Sequence, residues 1–249
     1  MQTLATRIAE NLARVRERMA CAAARAGRDA AEITLLAVTK YAGLAEIRAL
    51  AEAGCREWGE SRPQQLWQRA ETLADLSPRW HLIGHLQRNK VRRTLPLVAL
   101  IHSVDSLRLV AALDEAAGGL SQFSFDENGT VPFGRADACP PLLLEVNVSG
   151  EPAKGGLAAA DVGPLLERVP QYGRVRVRGL MCMAGLEGDA ARRDFAALRT
   201  LRDRLRPNCP DGLTLDELSM GMSGDYEVAI EEGSTLVRIG SALFEGCGR

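Results

Sequence analysis

The chain contains few lysines, and one of them follows a short apolar segment. Only three of the 31 Lys and Arg residues are lysines, and Lys40 comes directly after the segment 33–39, ITLLAVT. An amine at the end of a buried strand can lose its charge by desolvation and attack the carbonyl carbon of an aldehyde or ketone. The alternative is a lysine that extends from the rim of the protein into solvent. The scarcity of lysines favours the first interpretation.

Two segments rich in Gly and Ser near the C-terminus are typical of anion-binding loops. The first, 219–225, is SMGMSGD, and the second contains Gly240 and Ser241. Glycines allow backbone N–H groups to converge on a phosphate, and a helix N-terminus adds positive potential. A turn that caps a helix at 225–232 explains the first segment equally well. A phosphate site beside a reactive lysine suggests pyridoxal 5′-phosphate (PLP), which carries both a phosphate and an aldehyde.

Short apolar runs alternate with amphipathic stretches, and these elements have to position the lysine and the two loops. Strands are predicted at 33–39, 55–58, 79–83, 99–103, 142–148, 175–182, 215–218 and 235–238. Helices are predicted at 44–53, 62–74, 88–94, 106–116, 159–168, 189–205 and 225–232. Eight strands with a helix between each consecutive pair, in about 250 residues, are typical of an α/β fold, the (β/α)₈ or TIM barrel, whose chemistry lies at the C-terminal ends of the strands.

Two further segments complete the predicted architecture. Leu4, Ile8, Leu12, Val15 and Met19 recur at spacings of three and four residues, which predicts an extra N-terminal helix. The segment 117–139 is rich in Gly and polar residues, so we expect a surface loop there rather than a domain boundary.

Composition and charge argue against several classes of protein. The 249 residues carry a formal net charge of −1, so bulk charge gives no reason to expect nucleic-acid binding. The six cysteines lie far apart without a paired Cys/His spacing, so we expect neither a disulfide framework nor a metal site. We also expect no signal peptide and no membrane-spanning segment. A reducing cytoplasm is the expected location.

Seven segments carry a resemblance to a known family. In chain order they are ITLLAVTK, WGES, WHLIGHLQRNKV, IHSVDSL, LLEVNVSGEPAKGG, RGLMCMA and LSMGMSGDYEVAIEEGSTLVRIGSALFEG. Together they resemble the pyridoxal phosphate homeostasis protein family (YggS/PROSC) over nearly the whole chain. The resemblance implies a single barrel domain spanning 1–249, an alanine racemase-like PLP site, and a role in intracellular PLP homeostasis without an established enzyme activity.

The resemblance also implies which residues hold the cofactor. They are Lys40, Met222, Ser223, Arg238, Gly240 and Ser241. Lys40 would carry PLP as an aldimine, Arg238 would face the pyridine nitrogen, and the other four would surround the phosphate. A guanidinium only donates hydrogen bonds, so a nitrogen that faces it stays unprotonated and the cofactor becomes a poorer electron sink.

One position departs from the family pattern. The usual block is Gly-Glu-Asn, whereas this chain has Gly59, Glu60 and Ser61. A serine hydroxyl has neither the reach nor the two donors of an amide, so Ser61 cannot reproduce the asparagine contact. It could leave room for a water molecule near the cofactor.

Two enzymatic alternatives stay open at this point. A small PLP-dependent amino-acid racemase would use Lys40 as one base, and Tyr41 and Tyr226 are candidates for the second. A Schiff-base aldolase would use Lys40 without PLP, with a sugar phosphate held by the two loops.

Other residues are weaker candidates for a role in the site. We expect His85 to be structural, the basic segment 88–93 to be a solvated helix face and Lys154 to lie at the surface. Glu145 and Asn147 end the fifth predicted strand. The expected partners are PLP and PLP-dependent apoenzymes, without nucleic acid or membrane, and the expected state is a monomer.

Overall fold

The computed structural model shows a closed barrel of parallel strands surrounded by helices. It describes residues 2–120, 139–151, 154–185 and 190–247. The strands in these ranges are β1 (Thr34–Val38), β2 (Glu57–Glu60), β3 (Arg79–Leu82), β4 (Leu100–Val104), β5 (Leu142–Asn147), β6 (Leu157–Ala158), β7 (Val177–Met181), β8 (Glu217–Ser219) and β9 (Leu236–Ile239). Eight of them form the barrel in chain order, and β9 pairs with β1 to close it. The two-residue β6 pairs only with β5.

Helices follow most of the barrel strands and pack on the outside. The α-helices in the described residues are α1 (Leu4–Arg25), α2 (Leu44–Glu52), α3 (Pro63–Thr72), α4 (Val91–Thr94), α5 (Leu107–Leu120), α6 (Ala159–Arg168), α7 (Ala190–Leu205) and α8 (Tyr226–Glu231). Helix α1 begins after Thr3, whose hydroxyl accepts the N–H of Thr6. Its buried face, which includes Ile8 and Leu12, packs against α2 and α8. The predicted TIM barrel with an extra N-terminal helix is confirmed.

Some boundaries differ from those predicted. Strand β2 begins at Glu57 rather than at residue 55, because the Cys55 N–H bonds the Leu50 carbonyl and so completes the end of α2. The predicted helix 88–94 is a 3₁₀ turn at Arg88–Lys90 followed by the single turn of α4. The predicted loop 117–139 starts later, since α5 continues to Leu120; positions 121–138 lie outside the described residues.

Apolar side chains fill much of the barrel interior and the layer between barrel and helices. Because successive strand residues point to opposite faces, alternate positions point into the barrel. Leu36, Leu100, Leu143, Met181 and Leu236 form such an interior cluster. This packing fixes the C-terminal ends of the strands around one opening. No helix in the described part of the chain is long and apolar enough to cross a bilayer.

Candidate functional site

A cavity of about 820 Å³ opens at the C-terminal ends of the barrel strands. Small-molecule sites in proteins have volumes of about 300–1,000 Å³. All six residues expected to bind the cofactor line it: Lys40, Met222, Ser223, Arg238, Gly240 and Ser241. Ser61 lines it as well, and Ile83, Met181, Met183 and Phe244 contribute apolar walls. The cavity therefore combines an amine, a guanidinium and hydroxyl groups with an apolar lining.

Lys40 is half-buried where the loop leaves β1. Its Nζ atom lies 5.1 Å from the centre of the Tyr41 ring, and no carboxylate of the described residues forms an ion pair with it. The amine of Lys154, by contrast, lies 2.7 Å from Glu151 Oε1 and does not line the cavity. Of these two amines, only that of Lys40 is available to a ligand in the cavity.

Helix α3 holds the loop that carries Lys40. The Gln65 side-chain amide donates to the Lys40 carbonyl at 2.9 Å. Arg69 donates to the carbonyls of Thr39 and Ala42, at 2.6 Å and 2.5 Å. Three backbone carbonyls within residues 39–42 are thus bound by side chains of one helix. These bonds fix the backbone from which the Lys40 side chain extends.

A buried carboxylate lies beneath the same loop. Glu60 is fully buried; its Oε1 accepts the Thr39 hydroxyl at 2.5 Å and also pairs with Arg69. Burial raises the pKa of the Glu60 carboxyl, against the opposing effect of Thr39 and Arg69. Its Oε2 atom has no hydrogen-bond partner among the described residues. The sequence analysis missed Gln65 and Arg69, whose only indication was a four-residue spacing that places them on one helix face.

The two segments rich in Gly and Ser, 219–225 and 240–242, meet at the cavity and are called here the Gly/Ser loops. Ser223 Oγ accepts the N–H groups of Gly240 and Ala242, at 3.2 Å and 3.4 Å, and so joins the two loops. The backbone N–H groups of Ser223, Gly224 and Ser241 have no partner in the described chain, and all three residues line the cavity. Converging backbone donors of this kind bind anions.

Gly221 shapes the first Gly/Ser loop. Its φ is +95°, and a Cβ placed on it would lie 2.6 Å from the Cβ of Ala229 in α8. Only glycine satisfies both conditions. The Gly221 carbonyl also accepts the Arg238 N–H at 2.9 Å, which attaches the loop to β9.

Arg238 lies at the base of the cavity and is almost completely buried, with 5% of its surface exposed. One Nη atom donates to the Ser219 carbonyl and hydroxyl, each at 2.7 Å, and the other donates to the Cys182 carbonyl at 2.9 Å. Burial lowers the pKa of the guanidinium. No carboxylate within the described ranges contacts it, and its Nε–H has no partner there. The site thus places a buried positive charge without a directly bonded carboxylate, and with a free donor, against the cavity.

The structure separates several weaker candidates from the cavity. The His85 side chain is 68% exposed and lies 3.4 Å from Asp105. Tyr226 is buried below Arg18 of α1 and does not line the cavity, so it is not placed to act there as a second base. The side chain of Asn147 binds the carbonyls of Glu151 and Lys154, and so orders the loop after β5.

Comparisons with known proteins agree with this geometry. Residues 7–247 match the family described as alanine racemase, N-terminal domain. The pyridoxal phosphate homeostasis protein of Pseudomonas aeruginosa is 42% identical over 241 residues, covering 95% of this chain and 94% of that protein. The chain belongs to the pyridoxal phosphate homeostasis protein family.

Solved structures place this homeostasis family member among alanine racemase-like barrels. PipY of Synechococcus elongatus, solved with PLP bound, is 36% identical and superposes with a TM-score of 0.78 over 95% of this chain and 99% of that chain. Alanine racemase from Corynebacterium glutamicum is 15% identical, with a TM-score of 0.64 over 96% of this chain and 60% of that chain. The second likeness shows the shared barrel fold alone.

Proposed function

We propose that this protein binds PLP reversibly through the Lys40 amine and takes part in PLP homeostasis. The observation that carries the proposal is the meeting of three complementary groups in one cavity. The Lys40 amine, the unpartnered N–H groups of the Gly/Ser loops and the guanidinium of Arg238 all face the same space. These groups match the aldehyde, the phosphate and the ring nitrogen of PLP. A relative with PLP bound and relatives named for PLP homeostasis support the assignment.

Each part of the cavity has a distinct task in holding this ligand. When bound, PLP supplies an aldehyde carbon that an amine can attack to give a reversible covalent link. The Gly/Ser loops bind the phosphate through backbone N–H groups and the Ser223 and Ser241 hydroxyls. Arg238 donates toward the ring nitrogen and leaves it unprotonated, because a guanidinium has no acceptor. The charge of Arg238, which has no carboxylate contact of its own, is then balanced by an anionic ligand.

The cavity lining favours a PLP-binding role over racemisation. A two-base racemase needs a second proton-transfer group on the face opposite the lysine. In the described part of the chain, the ionisable residues lining the cavity besides Lys40 and Arg238 are Tyr41, Glu46 and Cys247. Tyr41 follows Lys40 directly, and the Glu46 carboxylate accepts the Gly43 N–H as a helix cap. A racemase is the alternative, and Tyr41 is the residue on which it would depend.

The first test is the visible absorption spectrum of the purified protein titrated with PLP. We expect a new absorption band for the unsubstituted protein and none for Lys40→Ala, with Lys154→Ala as the matched control that keeps the band. Borohydride treatment followed by mass spectrometry of peptides should place one pyridoxyl phosphate group on Lys40. A colourless protein at saturating PLP, or an adduct elsewhere, would refute the assignment.

A second test separates PLP homeostasis from racemisation. We propose that the protein is a cytoplasmic monomer that exchanges PLP with PLP-dependent apoenzymes. Incubation of the loaded protein with single L-amino acids in ²H₂O should give no α-deuterated product, whereas an added apoenzyme should regain activity as the bound PLP is lost. Size-exclusion chromatography with light scattering tests the monomer. Steady α-deuteration that Tyr41→Phe abolishes would establish the racemase instead.

A further inference from the structure

A continuous row of hydrogen bonds runs through the barrel interior, from the cavity to the opposite end of the barrel. Arg238 Nη donates to Ser219 Oγ at 2.7 Å, and Ser219 Oγ lies 2.9 Å from His102 Nδ1. His102 Nε2 lies 3.0 Å from His81 Nδ1, and His81 Nε2 lies 2.7 Å from Glu57 Oε2. These five residues are called here the interior relay. Each belongs to a different strand: β9, β8, β4, β3 and β2 in the order of the bonds.

With one proton on each imidazole ring, the two ends of the interior relay set the direction of every bond within it. A guanidinium can only donate and a carboxylate can only accept. Ser219 Oγ therefore accepts from Arg238 and donates its own proton to His102 Nδ1. His102 then carries its proton on Nε2 and donates to His81 Nδ1, and His81 donates from Nε2 to Glu57. In this arrangement both rings carry their proton on Nε2, and the Ser219 hydroxyl and each ring use one donor and one acceptor.

Burial isolates the middle of the interior relay from solvent. His102 and Ser219 are fully buried, and His81 is 4% exposed. Burial, together with the nearby His81 and Arg238, holds the pKa of His102 well below its usual range, which agrees with a neutral ring. At the far end, burial alone would raise the pKa of Glu57, but the hydrogen bond of His81 and the charge of Arg79 lower it. Glu57 Oε1 lies 3.0 Å from Arg79 Nε, so this carboxylate is ionised.

The interior relay links the guanidinium of Arg238 to a carboxylate through side chains alone. No acidic side chain of the described residues contacts the guanidinium directly, and His102, by accepting the Ser219 proton, fixes the rotation of the hydroxyl with its lone pairs toward Arg238. Without that acceptor the Ser219 hydroxyl is free to rotate, and its oxygen is held less firmly against Arg238. The bond between Arg238 and the Ser219 hydroxyl is thus connected to groups at the other end of the barrel.

We propose that His102 and His81 are positioning residues, which orient Ser219 and Arg238 toward the cavity through a one-directional hydrogen-bond relay anchored at Glu57. This inference rests on the proposed function for its ligand, since the group that Arg238 meets is the acceptor nitrogen of PLP. The relay itself is a property of the protein without ligand. No proton is transferred along it, and every donor keeps its hydrogen.

The relay is tested first in the ligand-free protein by NMR with ¹⁵N-labelled histidine. The chain has only three histidines, and the exposed His85 provides an internal reference for a solvated ring. Long-range ¹H–¹⁵N spectra distinguish the two neutral tautomers from the imidazolium. We expect Nε2–H tautomers for both His81 and His102 at neutral pH. An Nδ1–H tautomer or an imidazolium at either ring would overturn the directional relay.

The second test asks whether the relay acts on the ligand in the cavity. Replacing His102 by leucine removes the acceptor of Ser219, whereas His102→Gln keeps one acceptor and one donor. Loss of one hydrogen bond corresponds to a weakening of PLP binding by about three- to tenfold. We expect this loss, with a shifted absorption maximum, for His102→Leu, and recovery toward the unsubstituted protein for His102→Gln. His85→Gln is the matched control and should bind PLP normally.

The outcomes separate the relay from the proposed function. PLP should change the ring ¹⁵N shifts of His102 and His81 more than those of His85, and equal or absent changes would show that the relay does not respond to the ligand. If the leucine variant does not fold, the tautomers, these shifts and the PLP affinity of His102→Gln decide the question. If the unsubstituted protein binds no PLP, the proposed function fails, and the tautomers alone support or overturn the relay.

Discussion

The side-chain amide of Gln65 donates to the backbone carbonyl of Lys40 at 2.9 Å. This bond connects helix α3 to the residue proposed to bind PLP, and Arg69, one helical turn later, binds the carbonyls of Thr39 and Ala42. A reactive side chain is effective when its own backbone is held in one geometry by surrounding groups. Helix α3 supplies that support, although neither Gln65 nor Arg69 lines the cavity.

Removal of the Gln65 amide should loosen this support. We expect Gln65→Ala to lower the free energy of unfolding by about 0.5–1.5 kcal/mol, the usual net contribution of one hydrogen bond. The rate of covalent PLP capture, followed by stopped-flow absorbance, should fall severalfold. Gln68→Ala is the matched control, because Gln68 is exposed on the same helix and should leave both quantities unchanged. Equal capture rates in the two variants would contradict the role of Gln65.

Arg69 and Glu60 form a buried ion pair, and replacing only one of the two residues should destabilise the protein strongly. Glu60 is fully buried and the Arg69 side chain is 11% exposed. We expect Arg69→Leu to lower the free energy of unfolding by about 3–5 kcal/mol, because it leaves a buried carboxylate without its partner. Adding Glu60→Gln should restore part of that loss. Urea denaturation of the four proteins of the double-mutant cycle measures the coupling, and strict additivity would contradict the expected interaction.

His102 should make the protein less stable in acid. Its pKa is lowered from 6.5 by burial, with contributions from His81 and Arg238, so the folded state keeps the ring neutral while the unfolded chain takes up a proton. Below pH 6.5 the unfolded state therefore binds the extra proton, and stability falls by up to about 1.4 kcal/mol per pH unit from this residue. The difference between the unsubstituted protein and His102→Gln isolates this contribution. As the pH falls from 6.5, the free energy of unfolding of the unsubstituted protein should decrease relative to that of His102→Gln. If the difference between the two free energies does not change with pH, His102 does not have this effect.

Gly84 should tolerate no side chain. A Cβ on this residue would lie 2.3 Å from the backbone oxygen of Ser61, a residue that lines the cavity. We expect Gly84→Ala to reduce the free energy of unfolding by about 1–3 kcal/mol and to weaken PLP binding, because the Ser61 backbone must move. Gly119→Ala is the control: that Cβ would meet nothing within 4 Å in helix α5, and alanine should stabilise the helix by about 0.5–1 kcal/mol. Thermal unfolding measures the stability of both variants, and PLP titration measures their affinity for PLP.

Much of the fold and the lining of the cavity could be predicted from the sequence. The apolar runs with β-branched residues predicted the barrel strands. The site of a barrel lies at the C-terminal ends of its strands, so Lys40 and Arg238 were expected to lie close together although 198 positions separate them. The Gly/Ser loops were recognisable because they contain glycines, and a glycine such as Gly221 adopts backbone conformations that other residues avoid. The resemblance to a family supplied the role assigned to Arg238, which its residue type alone did not indicate.

The supporting contacts could not be predicted in the same way. His81 and His102 each occupy an inward position of a strand, but whether they meet depends on the register between β3 and β4, which a strand pattern does not specify. Arg69 likewise resembles any other arginine on an amphipathic helix until the Thr39 and Ala42 carbonyls are placed beside it. The position of Tyr226 below Arg18 also depends on the packing of α1 against α8, which is a tertiary contact.

The pairing of β1 with β9 has a consequence for how the binding site is made during synthesis. Leu36 of β1 lies opposite Arg238 of β9, so the lysine loop and the second Gly/Ser loop leave adjacent strands at opposite ends of the chain. A growing polypeptide that has emerged only as far as β8 contains Lys40 but lacks Arg238, Gly240 and Ser241. The proposed site is therefore assembled only after β9 has been synthesised and has paired with β1, and a partial chain that lacks β9 should not capture PLP.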